Sequence, residues 1–148
     1  MLDYCADVYP GSRGYAPPAD PTMRSFPFRL ISSGLHRTKP SYYTKRDQFH
    51  SYMLIVTIDG CGRMLWKNKS CLLQKGTAVL IETRLYQEYA PLPGQNWDFY
   101  YLHFDANCFD GYREPLLSAL KPIQLRSLNT MCQLFEHIYH YDYYSVSR

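Results

Sequence analysis

The chain has 148 residues, 46% of them hydrophobic and 20% charged, the size of one domain around one core. Sixteen Lys and Arg against thirteen Asp and Glu leave a formal charge of +3, too small a surplus to hold nucleic acid through its phosphates. Five scattered cysteines with no C-x-x-C pair argue against a zinc ribbon or a disulfide framework and fit a reducing cytoplasm. The N-terminal residues lack an apolar export segment and the longest apolar run, residues 53–58, is far below membrane-spanning length, so neither export nor a membrane partner is expected. Aromatic residues make up 16% of the chain, with 15 Tyr, more than such a core needs, and predict a wet aromatic cavity or an adhesive surface.

Residues 1–27 carry Pro10, Pro17, Pro18, Pro21 and Pro27 with Gly11 and Gly14, a density that blocks helix and central strand and predicts an extended N-terminal arm. Over 28–106, short runs rich in Tyr, Val, Ile, Leu and Phe alternate with Gly, Pro, Asn and Asp. Strands are expected near 28–33, 40–46, 50–58, 63–67, 70–74, 78–82, 86–90 and 97–104, which makes the domain mainly β, a jelly roll or barrel. Asp59-Gly60-Cys61-Gly62, Lys67-Asn68-Lys69 and Gln74-Lys75-Gly76 read as turns, the first of them a hairpin.

The pattern then changes to helix. Pro115 suits a first turn, with Leu116, Leu117 and Leu120 on one side. Ser127 can cap a second helix in which Leu128, Met131, Phe135 and Ile138 repeat at spacings of three and four. That stripe has two readings, a face packed on the barrel or the seam of a homodimer. The ending Tyr143-Tyr144-Ser145-Val146-Ser147 has no compact finish and is expected to continue into something longer.

Chemistry is sparse. The histidines at 36, 50, 103, 137 and 140 show no His-x-His with a nearby Glu, and His137 with His140 supplies two ligands and no third, so no metal is expected. His50 and His103 read as polar wall residues or satisfied side chains. There is no G-x-S-x-G elbow, no Cys motif tied to a His and no framed pair of carboxylates, so no catalytic residue and no cofactor is assigned. His36-Arg37, Lys45-Arg46 and Lys67 with Lys69 fall at predicted strand ends or loops, where charge keeps edges soluble.

Four landmarks in order carry a resemblance. Residues 52–62 form an apolar strand ending in Gly60-Cys61-Gly62, and residues 73–81 read L-x-x-G-T-x-x-L-I. Tyr86-Gln87-Glu88-Tyr89 follows, then Trp97-Asp98-Phe99-Tyr100-Tyr101-Leu102-His103-Phe104. Together with two helices, this resembles the effector-binding domain of AraC-type transcriptional regulators over residues 28–148, with Thr77, Thr83, Gln87 and Tyr101 in place of the family's usual Asp, Pro, His and Trp. The resemblance implies a cupin-type jelly roll with an N-terminal arm, two C-terminal helices that dimerise, and a DNA-binding domain that this chain lacks. It also implies a small-molecule effector, expected to be a sugar, held at Arg46 or, with a shifted alignment, Lys45, and at Tyr89, Phe99 and Tyr101. Aromatic faces would stack on the ring and the guanidinium would donate to its hydroxyls. The dimer interface would then be Leu128, Met131, Phe135 and Ile138. The alternatives are a free-standing cupin enzyme or small-molecule-binding protein, and a structural dimerisation module with no ligand.

Overall fold

The computed structural model describes residues 1–107 and 120–145. Its strands, in chain order, are β1 (Leu2–Cys5), β2 (Arg13–Tyr15), β3 (Phe28–Thr38), β4 (Tyr43–Arg46), β5 (Tyr52–Trp66), β6 (Lys69–Gln74), β7 (Thr77–Glu82), β8 (Gln87–Pro91), β9 (Trp97–Ala106) and β10 (Ile123–Gln124). A helix, α1 (Leu128–Ser145), follows, so one C-terminal helix stands among the described residues. The helix predicted around Pro115 lies outside them apart from Leu120, which packs against the core. No helix among the described residues is long and apolar enough to cross a membrane.

The strands form one curled sheet in the order β1-β4-β8-β5-β9-β3-β2, with β6 and β7 also on β5 and β10 on β7. β5 organises it. Residues 52–60 of this strand pair with β7 and β9, whereas residues 61–66 pair with β6 and β8. One strand therefore belongs to both layers of the jelly roll, and the hairpin expected at Asp59-Gly60-Cys61-Gly62 does not exist. Gly60 takes a φ of 68° beside a register shift between Thr57 and Asp59, so the glycine turns a corner within a continuous strand rather than reversing the chain. A true two-residue turn follows at Lys67-Asn68, with φ of 49° and 58°, and Gly76 at 80° makes the corner into β7.

Period-2 alternation sends the two faces of β5 and β9 to different places. Met53, Ile55, Phe99 and Trp97 point between the layers with Met64, Trp66, Leu73 and Ile81, all nearly sealed from solvent. Val56 and Tyr100 point outward, beneath α1. The Ser127 hydroxyl caps that helix, accepting the Thr130 amide at 3.2 Å as the sequence suggests. Phe135 is 4% exposed and stacks on Tyr100 at 4.9 Å, with Leu128 and Met131 in the same cluster. Within this chain the stripe assigned to a dimer seam thus packs on the barrel, and Ile138 is half-buried beside it.

The arm differs from the expectation too. Its prolines lie between Pro-free stretches, and two of these become strands: β1 pairs with β4, and β2 pairs with β3. Between them, Val8 bridges Thr38 and the Tyr9 amide reaches the Arg37 carbonyl at 2.7 Å. β1 and β2 are the two outermost strands of the sheet, yet they are neighbours in sequence, so the arm runs from one edge to the other.

Candidate functional site

Between the layers, under the arm, lies a cavity of about 600 Å³, within the range of small-molecule sites. Alternate residues of β9, namely Phe99, Tyr101 and His103, form one wall. Ser32 and His36 of β3 stand beside them, and Tyr42, Thr44 and Arg46 face them from β4 and its entry. Tyr89 of β8 completes the floor, Phe49 closes the side, and Met1, Leu2, Tyr4 and Ala6 of the arm line the mouth.

All four positions marked from the sequence, Arg46, Tyr89, Phe99 and Tyr101, line this one cavity. Lys45 does not; it is paired in register with Glu88 and its ammonium sits 5.6 Å from the Tyr43 ring. Phe99 is packed as a core residue as well, stacked on Trp97 at 4.0 Å, so it both lines the cavity and fills the core. Sequence reasoning left out His36, Tyr42 and Thr44. His36, read as a polar residue at a strand end, lies within β3, where its ring meets those of Tyr101 at 4.8 Å and Phe99 at 5.4 Å. Its Nδ1 is 3.2 Å from the Tyr42 hydroxyl. The period-2 step from Phe99 through Tyr101 could have carried the reading on to His103.

The family departures build the layer behind the wall. Thr83 places its hydroxyl 2.6 Å from the Phe49 carbonyl and 2.7 Å from Ser51 Oγ, fixing the loop that carries Phe49. Ser51 Oγ lies 2.9 Å from His103 Nδ1. Thr83 gives its proton to the Phe49 carbonyl and Ser51 gives its own to Thr83, so a neutral His103 donates from Nδ1 to Ser51 and leaves Nε2 as an acceptor. Gln87, fully buried, donates its amide to the main-chain carbonyls of Leu85 and, at 3.3 Å, Arg46, which holds the start of the β4–β8 ladder. Gly34 leaves the space that the Tyr101 ring occupies, since a Cβ there would come within 2.8 Å of it.

The electrostatics are one-sided. Burial pushes the His36 pKa down to about 4, and burial together with the Arg46 charge pushes that of His103 to about 3, so both rings are neutral at pH 7. Burial raises the tyrosines at 42, 89 and 101, with Arg46 opposing the rise at each. Asp47 is occupied by the Met1 ammonium at 2.6 Å. Arg46 lies with its guanidinium carbon 4.7 Å from the Phe49 ring centroid, and its Nε is buried with no hydrogen-bond partner. Among the described residues no group of three His, Cys, Asp or Glu side chains is placed to hold a metal ion.

The cavity is wired to α1 through the arm. The Tyr101 hydroxyl abuts Gly14 of β2, where a Cβ would stand 2.9 Å from it. The preceding residue, Arg13, pairs with Glu136 of α1 and lies 4.6 Å over the Tyr139 ring, while Glu136 also accepts the Tyr100 hydroxyl.

A barrel with an aromatic cavity, an arm at its mouth and a packed C-terminal helix is matched at the level of sequence: residues 30–140 fit the AraC-like ligand binding domain. The chain belongs to that family. No curated protein matches it in sequence. Among solved structures, the protein YhaK from Escherichia coli aligns with this AraC-like domain at a TM-score of 0.60 and 16% identity, over 78% of this chain and 51% of that one. The chain thus spans about half the length of YhaK, and at that identity the likeness concerns the fold. The Cupin_2 domain of an XRE-family transcriptional regulator from Enterobacter cloacae aligns at 0.47 and 14% identity, covering 62% of this chain and 94% of that one. A cupin 2 conserved barrel protein from Salinispora arenicola gives 0.49 and 14%, over 76% and 90%.

Proposed function

We propose that this AraC-like domain is the sensor half of a cytoplasmic transcription factor, that it binds a small-molecule effector in the cavity under the arm, and that it is not an enzyme. Its output would be control of a C-terminal helix-turn-helix DNA-binding domain, to which α1 leads. The observation that carries the reading is the double engagement of the arm: its first residues line the cavity and its Arg13 is paired with Glu136 of α1. A ligand that is covered better by one arm position than another shifts the arm between them, and a shift at Gly14 reaches the helix through the neighbouring Arg13. A sugar is the effector that the family resemblance implies, and Phe99 and Tyr101 offer the aromatic faces on which such a ring would stack.

Two measurements test this. Reading the gene past the Arg148 codon decides the regulator: two helix-turn-helix patterns in an open frame support it, and a stop codon moves the reading to a free-standing barrel. Removing residues 1–25 is expected to change the effector affinity, or the transcriptional response of the full regulator, and unchanged behaviour in both removes the arm from the mechanism. A homodimer belongs to the same proposal. Light scattering over a range of concentrations is expected to give twice the chain mass, and a monomer throughout sets dimerisation aside.

A further inference from the structure

We infer that the effector is a carboxylic acid and that Arg46 is its counter-ion, an inference that rests on the cavity being the effector site. The argument is one of charge balance. Arg46 is the cation of the cavity wall, its Nε is buried and unpartnered, and it forms no ion pair among the described residues. A charge drawn out of bulk water without a partner is costly, and natural interiors supply one from the chain or from a ligand. The described residues supply none. Asp47, the carboxylate of the wall, is taken by the Met1 ammonium. The remaining polar groups of the wall, among them His36, His103 and the tyrosines, are neutral at pH 7, so the empty cavity carries a net positive charge.

A neutral sugar would leave that charge unbalanced, whereas a carboxylate matches the guanidinium fork. Phe49 holds the guanidinium from one side, and the rings of Phe99 and Tyr101 offer an apolar bed for the body of the ligand. The shared chemistry, a carboxylate on a compact body, is met by an aryl acid or by a sugar acid.

Thermal shift and calorimetric titration with matched pairs separate these cases: phenylacetate against phenylacetamide, and glucuronate against glucose. The acid of at least one pair is expected to stabilise the protein and its neutral partner not. Arg46→Gln is expected to weaken that acid at least thirtyfold, roughly the cost of removing one partner of a buried charge pair, while Arg46→Lys keeps part of the affinity. The empty Arg46→Gln protein should melt no lower than the wild type, because the variant removes a half-buried charge that has no ion partner among the described residues; a large loss of stability without ligand would mark Arg46 as structural and overturn the inference. Binding of glucose or phenylacetamide as tight as that of its acid, undisturbed by Arg46→Gln, overturns the acid and leaves the sensor standing. Failure of both acids to bind also overturns it, and if the neutral partners fail too and the arm deletion changes nothing, the sensor reading falls with it.

Discussion

Gly62→Ala is expected to destabilise the domain by about 1–3 kcal/mol, the range for forcing one extra carbon into a tight core. A Cβ at that position would stand 2.5 Å from two ring carbons of Trp97. The ring has nowhere to go: it is fully buried, stacked on Phe99, and its Nε1 donates to the Thr57 hydroxyl at 3.0 Å. At roughly 2–4 °C per kcal/mol for a chain of this size, the melting temperature should drop by several degrees. Gly94→Ala is the control. Its φ is 72° and nothing lies within 4 Å of the added carbon, so it carries only backbone strain, about 1 kcal/mol. A smaller side chain at Trp97, as in Trp97→Leu, should make Gly62→Ala nearly neutral when the two are combined. Strict additivity in that cycle would show that the two positions do not touch.

Acid is the second large lever. His36 and His103 stay neutral in the folded protein down to about pH 4 and about pH 3, whereas in the unfolded chain they take up a proton near pH 6.5. As the pH falls below about 6.5 the unfolded state gains protons that the folded state refuses, so stability is lost on acidification through the interval down to those lower values. Each histidine contributes up to about 1.4 kcal/mol per pH unit inside its window, so moving from pH 7 to pH 5 should remove roughly 3–4 kcal/mol. Urea midpoints across that range measure it. The double variant His36→Gln/His103→Gln should flatten the profile above pH 5, and a wild-type profile already flat there would mean that the rings are not held neutral. The carboxylate of Asp7, kept low by the Ser41 hydroxyl and then by Lys39, acts in a separate and more acidic window.

Local pattern made the β class and much of the cavity legible. The order of four landmarks carried the family resemblance, the resemblance implied Arg46, Tyr89, Phe99 and Tyr101, and these line one cavity. What stayed hidden depends on pairing between distant segments. Nothing local to His36 says that β3 lies against β9 with His36 opposite Phe99, so a polar pair inside a strand read as a strand end. Gly60-Cys61-Gly62 has the composition of a reversal, and only the partners of each half of β5 reveal a corner in a strand that continues. The prolines of residues 1–27 dominated the reading of the arm because composition was taken over the whole segment, while β1 and β2 occupy its Pro-free stretches. The stripe on α1 was open between two partners, since an apolar face states that it needs cover and not which surface provides it.

The arm's path between the two outer edges has a consequence for association. While β1 and β2 are seated, the open sides of β4 and β3 are both capped by one short segment. Lifting that segment would bare two rows of unpaired amides and carbonyls at once, the template on which sheets of separate molecules join. The same two strands could be delivered by a second copy in the same register, so the arm is an element that two chains can exchange without loss of a single pairing. Self-assembly and arm release are therefore linked in this fold, and conditions that free the arm should promote intermolecular strand exchange as protein concentration rises.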